Sequence, residues 1–349
     1  MRVQMKRVTI NDVAKRAGVS KTSISFAFNN PSHLSKATVD KILRISKELG
    51  YAPHPIARSM NTGRTGVLGL LLPQDIPIIL ENPFFNQFMK GIGYVCDKNA
   101  LSFMLVPPVR GSMLKAIDHA VADGFLVIGL ETEDPVVKIL KQRGIPFVMV
   151  DSDPVENIPC VLVNDYENSH NAALHIIEQG HKQIAIVAFK SGKECQWEKY
   201  TGTLRWRLKG YLDGLATIGL SLDNPEITIF ECENSIKGGK DVFSRFWKVS
   251  SHPTAVLAMS DIIAIGIINA AHNRGLHVPK DLSVVGYDDI PEAKRTNPPL
   301  TTIHQPIVEK GNYAAELLVK VIEGVSTSEH YTLPTELVIR DSVAPPSSD

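Results

Sequence analysis

The fold of the N-terminal region is decided by VTINDVAKRAGVSKTSISFAFNN, residues 8–30. Thr9 stands three residues before Asp12, which is the spacing of a capping box at the start of a helix. Gly18 can end that helix because glycine adopts the positive φ of a tight turn, and Ser20 can cap a second helix that runs to about Asn29. Two short helices separated by a turn of this length predict a helix-turn-helix.

A third helix is predicted after these two, and the three together enclose a small apolar core. The third helix begins at Ser35 and runs to Leu49-Gly50, with apolar residues at helical spacing. The first two helices and the turn between them supply core positions at Val13, Ala14, Ala17, Val19, Ile24 and Ala27.

The charge of the chain is divided unevenly. Residues 1–65 carry twelve basic and three acidic side chains, a net charge of +9. The whole chain has a net charge of zero, so the remainder carries −9. A basic head on an acidic body is typical of a protein that binds a polyanion at one end. Charge alone does not exclude the alternative of a merely soluble basic surface.

In a helix-turn-helix the second helix enters the major groove, and its N-terminal residues reach the base edges. Lys21 can donate to guanine or neutralise a phosphate, and Thr22 can meet a thymine methyl group or a base-edge acceptor. Phe26 is expected to be exposed and to contact thymine methyl groups, with packing against the first helix as the alternative. The candidate DNA contacts of this region are Thr9, Lys21, Thr22, Ser23, Ser25, Phe26 and Asn29.

A short hinge helix is predicted in residues 53–65. Pro55 suits its first turn and Gly63 its end. A helix of about two turns is too short to persist alone in water, so we expect it to become ordered only when something holds it. Ile56 and Met60 form an apolar ridge beside Arg58, and the hinge adds to the candidate DNA contacts Ile56, Ala57, Arg58 and Met60.

From Gly66 onward, short apolar runs alternate with amphipathic stretches, as in α/β proteins. The predicted strands are residues 67–72, 102–106, 125–130, 146–150, 183–188, 227–230, 254–259 and 282–287. Two such sets predict two lobes, each built on a parallel sheet with right-handed crossovers. The fold class is therefore an all-α headpiece joined to a bilobed α/β domain, with a ligand in the cleft beyond the carboxyl ends of the strands.

Side chains near the strand ends are the candidate ligand contacts. The first strand leads to Phe84 and Phe85, whose rings can stack on a ligand or begin the core of a helix. Later strands lead to Asp261, which is equally suited to cap the next helix, and to Asp288, whose carboxylate can accept two hydroxyl hydrogen bonds. Arg207 offers a forked donor set that suits bidentate contacts.

The chain resembles the LacI/GalR family of bacterial regulators. The resemblance is carried by VTINDVAKRAGVSKTSISFAFNNPSHLSKATVDKILRISKELGYAPHPIARSMNTGRTGVLGLLLP (residues 8–73), with GYDDI (residues 286–290) and LTTIHQP (residues 300–306) in the C-terminal half. It extends to about residue 345. It implies a sensor domain like a periplasmic binding protein, in a homodimer that binds a palindromic double-stranded DNA operator, most often as a repressor, under the control of a small-molecule effector.

The resemblance also implies roles for particular residues. In this family two hinge helices pair in the minor groove, where an apolar wedge, usually leucine and here Met60, unstacks the central base step. Recognition helices of the family often carry arginine where this chain has Phe26, which leaves the operator sequence open. The family's effector pocket falls on Phe84, Phe85, Arg207 and Asp288, with Asp261 near its rim.

The effector is predicted to be a sugar or polyol rather than a purine. Thr201, Thr203 and Glu233 occupy positions where the purine-sensing members of the family use a residue that contacts or stacks on the base. Thr203 and Glu233 are therefore included among the candidate effector contacts.

The predicted domains follow from the elements and from the family topology. They are a headpiece (residues 1–52), a hinge (residues 53–65) and an effector-binding and dimerisation domain (residues 66–345). The resemblance implies crossings between lobes near 163–165, 291–305 and 325–331. One lobe is thus expected to contain about 66–164 and 305–328, and the other about 165–304 and 329–345.

Other classes of protein are disfavoured. No apolar stretch approaches the roughly 18–20 residues of a membrane span, and no apolar region follows the basic N-terminus as in a secretory signal. We therefore expect a cytoplasmic, nucleoid-associated protein with no membrane partner. The four cysteines are far apart and are expected to be core thiols, although long-range disulfides stay open.

No catalytic or metal-binding motif is recognised in the sequence, so no catalytic residue, metal or cofactor is predicted. Two rival functions are kept. A periplasmic-type solute-binding protein would explain the α/β body, but the basic head and the missing signal count against it. A sugar-processing enzyme would use Asp261 and Asp288 as an acid/base pair, but a binding role explains both with less assumed.

Overall fold

A computed structural model of the chain describes residues 8–52, 59, 63–72, 74–190, 196–248, 252–325 and 327–347. The chain divides into two compact units, Met1–Gly66 and Val67–Asp349. The first contains the headpiece. The second, called the sensor unit below, contains two six-stranded sheets.

The headpiece consists of α1 (Ile10–Ala17), α2 (Lys21–Asn29) and α3 (Lys36–Leu49), with a 3-10 turn at Pro31–His33. At the start of α1, the Thr9 amide and hydroxyl both donate to Asp12 Oδ2, at 2.9 and 2.7 Å. Gly18 ends α1 with a φ of 67°, and Ser20 Oγ accepts a hydrogen bond from the Ser23 amide at 3.0 Å. The predicted helix-turn-helix is confirmed.

Apolar side chains from all three helices form the headpiece core. Val13, Ile24 and Ile42 are completely buried, and Ala17 and Ala27 are nearly so. Small alanine side chains let α1 and α2 approach closely across their short turn. The headpiece thus encloses its own core and keeps its basic side chains at the surface.

The first sheet of the sensor unit belongs to the N-terminal lobe. Its strands are β1 (Val67–Leu71), β2 (Ser102–Val106), β3 (Gly124–Ile128), β4 (Phe147–Val150), β5 (Cys160–Val163) and β11 (His330–Leu333). They are all parallel, in the order β11-β5-β4-β3-β1-β2. The helices of this lobe are α4 (Ile76–Glu81), α5 (Pro83–Asn99), α6 (Met113–His119), α7 (Pro135–Gln142) and α12 (Ile307–Ile322).

The second sheet belongs to the C-terminal lobe. Its strands are β6 (Ile184–Phe189), β7 (Ile227–Cys232), β8 (Ala255–Ala258), β9 (Ser283–Asp288), β10 (Thr301–His304) and β12 (Glu336–Val338). The order is β12-β10-β9-β8-β6-β7, and only the β10–β12 pair among these is antiparallel. The helices are α8 (Asp165–Glu178), α9 (Gly202–Ala216), α10 (Ile236–Phe246) and α11 (Asp261–Asn273).

Both sheets have central strands that are buried along their whole length, as in β3 and β8. Helices on both faces of a parallel sheet produce such continuous apolar strands. The predicted fold class, a helical headpiece with a bilobed α/β domain, is confirmed.

The chain passes between the lobes three times, and the predicted boundary of the third passage was wrong. It crosses between β5 and α8, between β10 and α12, and between β11 and β12. Residues 329–333 were assigned to the C-terminal lobe, but β11 pairs with β5 of the N-terminal lobe, with His330 opposite Cys160. Tyr331 also stacks on Tyr313 of α12 at 5.6 Å. Such long-range partners are not visible in the local sequence pattern.

Helix α4 was not predicted. Within it, Ile79 is completely buried, whereas Ile76, Ile78 and Leu80 are exposed. The apolar periodicity that identifies an amphipathic helix is therefore missing from this segment.

The structure also addresses the predictions about membranes and cysteines. Among the described residues, no helix combines the length and the apolar character that a membrane span requires. Cys96, Cys160 and Cys232 are buried free thiols, as predicted. Cys195 lies outside the described residues.

Helices α5 and α12 pack closely because glycines face each other. A Cβ atom on Gly91 would lie 2.0 Å from the Val308 carbonyl oxygen, and one on Gly311 would lie 2.1 Å from the Phe88 carbonyl oxygen. A Cβ atom on Gly93, also in α5, would meet no heavy atom within 4 Å. The helix contact therefore requires glycine at position 91 and tolerates a side chain at position 93.

We predict that Gly91→Ala lowers the free energy of unfolding of the sensor unit by about 1–3 kcal/mol, the usual cost of overpacking. Gly93→Ala is the matched control and should raise it by about 0.5–1 kcal/mol, because alanine favours the helix. Urea unfolding followed by circular dichroism measures both. Equal effects of the two substitutions would show that α5 and α12 do not pack through Gly91.

Candidate functional site

The first turn of α2 is the exposed part of the candidate DNA-recognition helix. Lys21 and Thr22 are exposed, whereas the other predicted contacts on this helix are half-buried. The headpiece adds exposed basic side chains at Lys15, Arg16, Lys36, Lys41, Arg44 and Lys47. Such a cationic surface suits contacts with DNA phosphates.

Several of the predicted DNA contacts also hold the ends of the headpiece helices. Thr9 closes the capping box of α1. Ser23 donates its amide to Ser20 Oγ, and its own hydroxyl lies 3.0 Å from that atom. Asn29 Nδ2 donates to Ser25 Oγ at 3.3 Å. These side chains stabilise the helices of the headpiece itself, so Lys21 and Thr22 are the strongest candidates for base contacts.

Phe26 does not stand alone on the surface as expected. It is half-buried, and its ring stacks on the His33 imidazole with 4.9 Å between centroids and an interplanar angle of 20°. The 3-10 turn after α2 brings His33 back over the helix. Phe26 thus has an intramolecular partner that neither interpretation of the sequence included.

The hinge residues Ile56, Ala57, Arg58 and Met60 lie outside the described residues. Their assignment as DNA contacts therefore stays a prediction from the sequence and from the family resemblance.

A cavity of about 440 Å³ lies between the two lobes of the sensor unit. The N-terminal lobe contributes side chains that include Phe84, Phe85, Glu131 and Asp151. The C-terminal lobe contributes Lys190, Thr203, Arg207 and Asp288, among others. The wall therefore combines aromatic faces with charges of both signs.

The structure brings most of the predicted effector contacts to this cavity. Those that line it are Phe84, Phe85, Thr203, Arg207 and Asp288. Glu233 does not line it: its side chain is 63% exposed and pairs with Lys190 at 2.8 Å. Lys190, which was not predicted, faces the cavity instead because it directly follows the buried strand β6.

Asp261 was also placed wrongly near the pocket rim. It is completely buried behind the cavity wall at the start of α11. Its carboxylate accepts hydrogen bonds from the Ile290 amide at 2.9 Å and from the Thr302 hydroxyl at 2.5 Å. Burial, followed by the nearby Asp288 charge, raises the pKa of Asp261 well above its usual range. Asp261 therefore ties α11 to the loop after β9.

Asp288 is the buried carboxylate of the cavity. Its backbone has a φ of 121°, a strained value for an aspartate. Oδ1 accepts a hydrogen bond from Gln305 Nε2 at 2.6 Å and lies 3.8 Å from an Arg207 nitrogen. Burial raises the pKa of Asp288 to about 7, although Arg207 and Lys310 act in the opposite direction. Backbone strain and a shifted pKa together are typical of a functional position.

Arg207 is held in place by the protein itself. Its Nε donates to Asp165 at 2.8 Å and its Nη1 donates to the Met259 carbonyl at 2.5 Å. The guanidinium also lies 3.4 Å from the centre of the Tyr287 ring. The forked donor set is thus largely used to orient Arg207 against the cavity.

Two acidic residues of the N-terminal lobe reach across to α9 of the C-terminal lobe. A Cβ atom on Gly202, the first residue of α9, would lie only 2.6 Å from Glu131 Oε1. Asp153 accepts hydrogen bonds from Arg205 and from the Trp206 indole, both at 2.7 Å. These contacts hold the two lobes together beside the cavity.

Glu131, Asp151 and Lys190 were missed, although the sequence contained a signal for them. Each follows a predicted strand, namely β3, β4 or β6. The rule that ligands meet the carboxyl ends of parallel strands would have selected them had it been applied to every strand.

Asp288 gives a prediction about pH. Its ordinary pKa of 3.8 is raised to about 7 in the folded chain, so the unfolded chain loses this proton first as the pH rises. The free energy of unfolding should therefore fall between about pH 4 and pH 7. The side-chain amide in Asp288→Asn cannot ionise, so the free energy of unfolding of this variant should fall less over the same pH range. Urea unfolding at pH 5 and pH 7.5 measures the difference, and identical slopes in wild type and variant would contradict it.

Comparison with known proteins identifies the architecture. A model described as bacterial regulatory proteins, lacI family, matches residues 9–54, and one described as a periplasmic binding protein-like domain matches residues 173–343. The HTH-type transcriptional repressor PurR of Photobacterium profundum is 31% identical over 346 residues, covering 96% of this chain and 98% of that protein.

Solved structures agree over nearly the whole length. The lac repressor bound to ONPG in its repressed state has a TM-score of 0.79 at 26% identity, covering 97% of this chain and 100% of that one. A complex of the transcriptional regulator CelR with cellobiose has a TM-score of 0.69 at 26% identity, covering 96% and 100%. The chain therefore belongs to the lacI family of bacterial regulatory proteins and is a DNA-binding transcription regulator.

Proposed function

We propose that this chain is a transcriptional repressor that binds a palindromic operator as a homodimer and changes its DNA affinity when a small molecule fills the cleft. One observation carries the proposal: a cationic helix-turn-helix with exposed Lys21 and Thr22 shares a chain with a cavity enclosed by two lobes. A DNA-reading unit and a ligand-sensing unit are the two parts that such a switch needs.

The hinge is proposed to couple the two units. Two hinge helices of the dimer would pair in the minor groove, with Ile56, Ala57 and Arg58 beside Met60 as the apolar wedge. A helix this short is ordered only when it is held. An effector that favours one arrangement of the lobes then shifts the population of paired hinges, which is an allosteric coupling.

The cleft suits a compact ring that offers several N–H or O–H donors. Asp151, Glu131 and Asp288 supply acceptors, and Phe84 and Phe85 supply apolar faces on which a ring can stack. These three carboxylates outnumber the two cations of the lining, Lys190 and Arg207, so the cavity does not favour a net anionic ligand.

A purine base is the first candidate of this description. The preference for a sugar over a purine loses support, because the similar proteins of Photobacterium profundum and Vibrio vulnificus are named PurR, and PurR proteins bind purines. A sugar stays the second candidate on one specific observation, the similar CelR structure that holds cellobiose.

The two rival functions explain less. A solute-binding function alone does not explain the helix-turn-helix. The acid/base pair of a sugar-processing enzyme would need Asp261 and Asp288 in one site, but Asp261 is buried behind the wall that Asp288 lines. Turnover of a sugar by the purified chain would reinstate the enzyme.

DNA recognition is tested by selecting the full-length protein on random two-fold symmetric duplexes and measuring band shifts on the selected sequence. We predict that Lys21→Ala weakens binding, with a loss of about 1–3 kcal/mol at one base position if Lys21 contacts a base. A phosphate contact would instead weaken all sequences alike and lower the salt dependence by about one counterion.

Lys240→Ala, which removes an exposed lysine of the sensor unit, is the control and should leave binding unchanged. Unaltered binding by Lys21→Ala would remove α2 from the DNA interface. Failure to select any symmetric duplex would remove the repressor proposal.

Effector recognition is tested by thermal shifts of the full-length protein with adenine, guanine, glucose and cellobiose. A ligand that binds only the folded state raises the melting temperature by mass action, and we expect a purine base to do so. Asp288→Ala should abolish this shift and the ligand's effect on operator binding, while DNA affinity without ligand is kept.

Asp241→Ala is the matched control, because Asp241 is an exposed carboxylate outside the cavity. It should retain the thermal shift. A normal response in Asp288→Ala would exclude Asp288 from the effector site, and a shift with a sugar but no purine would reverse the order of the two candidates.

A further inference from the structure

Lys310, which was not among the predicted contacts, is buried beneath the effector cleft. It lies near the start of α12, and its side chain is 0% exposed. Lysine is almost never fully buried unless its charge is paired. A cation near the N-terminal end of a helix is also disfavoured by the helix dipole. Specific partners must therefore offset both the cost of burying the ammonium charge and its unfavourable interaction with the helix dipole.

The ammonium of Lys310 has partners directly behind the cavity wall. Nζ donates to Asp151 Oδ1 and to Gln305 Oε1, each at 2.6 Å. It also lies 5.6 Å from the centre of the Phe84 ring. Asp151 and Phe84 both line the cavity, so Lys310 contacts two of the side chains that a ligand would meet.

Gln305 extends this contact to the other lobe. An ammonium has only donors, so it must face the amide oxygen of Gln305, and the amide nitrogen is then turned the opposite way. That nitrogen donates to Asp288 Oδ1 at 2.6 Å. Gln305 lies where the chain crosses from β10 to α12. A chain of hydrogen bonds thus runs from Asp151 of the N-terminal lobe to Asp288 of the C-terminal lobe.

We propose that Lys310 is a positioning residue of the effector site, whose buried ammonium holds Asp151 and orients the Gln305 amide so that Asp288 presents its carboxylate to the cleft. This inference rests on the proposed effector site. It also narrows the ligand class, because two carboxylates held from behind the cavity wall select a ligand whose hydrogen-bond donors face both lobes. Since Gln305 joins the lobes, the inference also links the relative placement of the lobes to the position of the Asp288 carboxylate that the ligand meets.

The first test needs no ligand. The side-chain amide of Gln305 is observed by NMR in full-length protein labelled with ¹⁵N-glutamine, and is assigned by its disappearance in Gln305→Leu. Lys310→Met removes the ammonium and keeps the length of the side chain. We expect the Gln305 amide protons to exchange with water about tenfold faster or more, as for the loss of a hydrogen bond to a charged group.

Lys320→Met is the matched control, since Lys320 lies on the same helix with its side chain 49% exposed. It should leave the exchange unchanged. A lysine that only neutralises Asp151 would not affect the Gln305 amide, so unchanged exchange in Lys310→Met overturns the proposal.

A second variant covers the case in which Lys310→Met leaves Asp151 unpaired and the chain does not fold. Lys310→Met/Asp151→Asn removes both charges, and asparagine tolerates the left-handed backbone of position 151, whose φ is 55°. The Gln305 amide should exchange as fast in this variant as expected for the single substitution, and wild-type exchange would overturn the proposal.

The last test uses whichever of adenine, guanine, glucose or cellobiose raises the melting temperature. Calorimetry should show about a tenfold loss of affinity in Lys310→Met and in Gln305→Leu, each the loss of a charge-linked hydrogen bond, with no further loss in the double variant. Additive losses would show that Lys310 and Gln305 act separately and would overturn the proposal. If none of the four binds, the proposed ligand class fails, while amide exchange still decides the role of Lys310.

Discussion

Burying charge between two lobes is the constraint on which the sensor unit depends. Arg207, Asp165 and Asp288 have side chains that are only 6%, 7% and 8% exposed, and a buried charge that loses its partner costs several kcal/mol. The partners come from α9, α8 and β9, and Lys310 with Asp151 adds a second group from the opposite lobe. Each group is compatible with folding only when the elements that supply its partners are in place, and Gln305, at a crossover between the lobes, joins the two groups. The cleft is therefore a property of the whole sensor unit rather than of any one loop.

The parts of the structure that could be predicted from the sequence are those fixed by near neighbours. The capping box at Thr9, the turn at Gly18 and the cap at Ser20 each depend on residues within three or four positions, so the headpiece helices were predicted closely. Burial of parallel strands also leaves a local signal, which predicted four strands of each sheet but missed β5, β10, β11 and β12. No local signal indicates that β11 belongs to the N-terminal lobe, because its strand partner β5 lies far away in sequence.

The effector site shows the same division between local and distant causes. A strand end predicts that a side chain lies near the cleft, and this succeeded for Asp288. It failed for Asp261, because the first turn of α11 directs that carboxylate to Thr302 and the Ile290 amide. Lys310 gave no signal at all: its partner Asp151 is 159 residues away, and a lysine in an amphipathic helix is normally expected to be solvent-exposed. Buried polar partners of this kind become visible only when the topology is known.

The headpiece imposes a limit on how the operator is read. Ser23, Ser25 and Asn29 are engaged in hydrogen bonds of the helix itself, and Phe26 stacks on His33. In the proposed complex, direct readout by the first turn of α2 would therefore depend mainly on Lys21 and Thr22, and two side chains distinguish few base pairs in each half-site. The remaining specificity would then come from elsewhere in the proposed complex. A minor-groove wedge would read the ease with which a base step unstacks, and two-fold symmetry would read the spacing of the half-sites. An operator recognised in this way would depend more on its centre and symmetry than on a long list of base contacts.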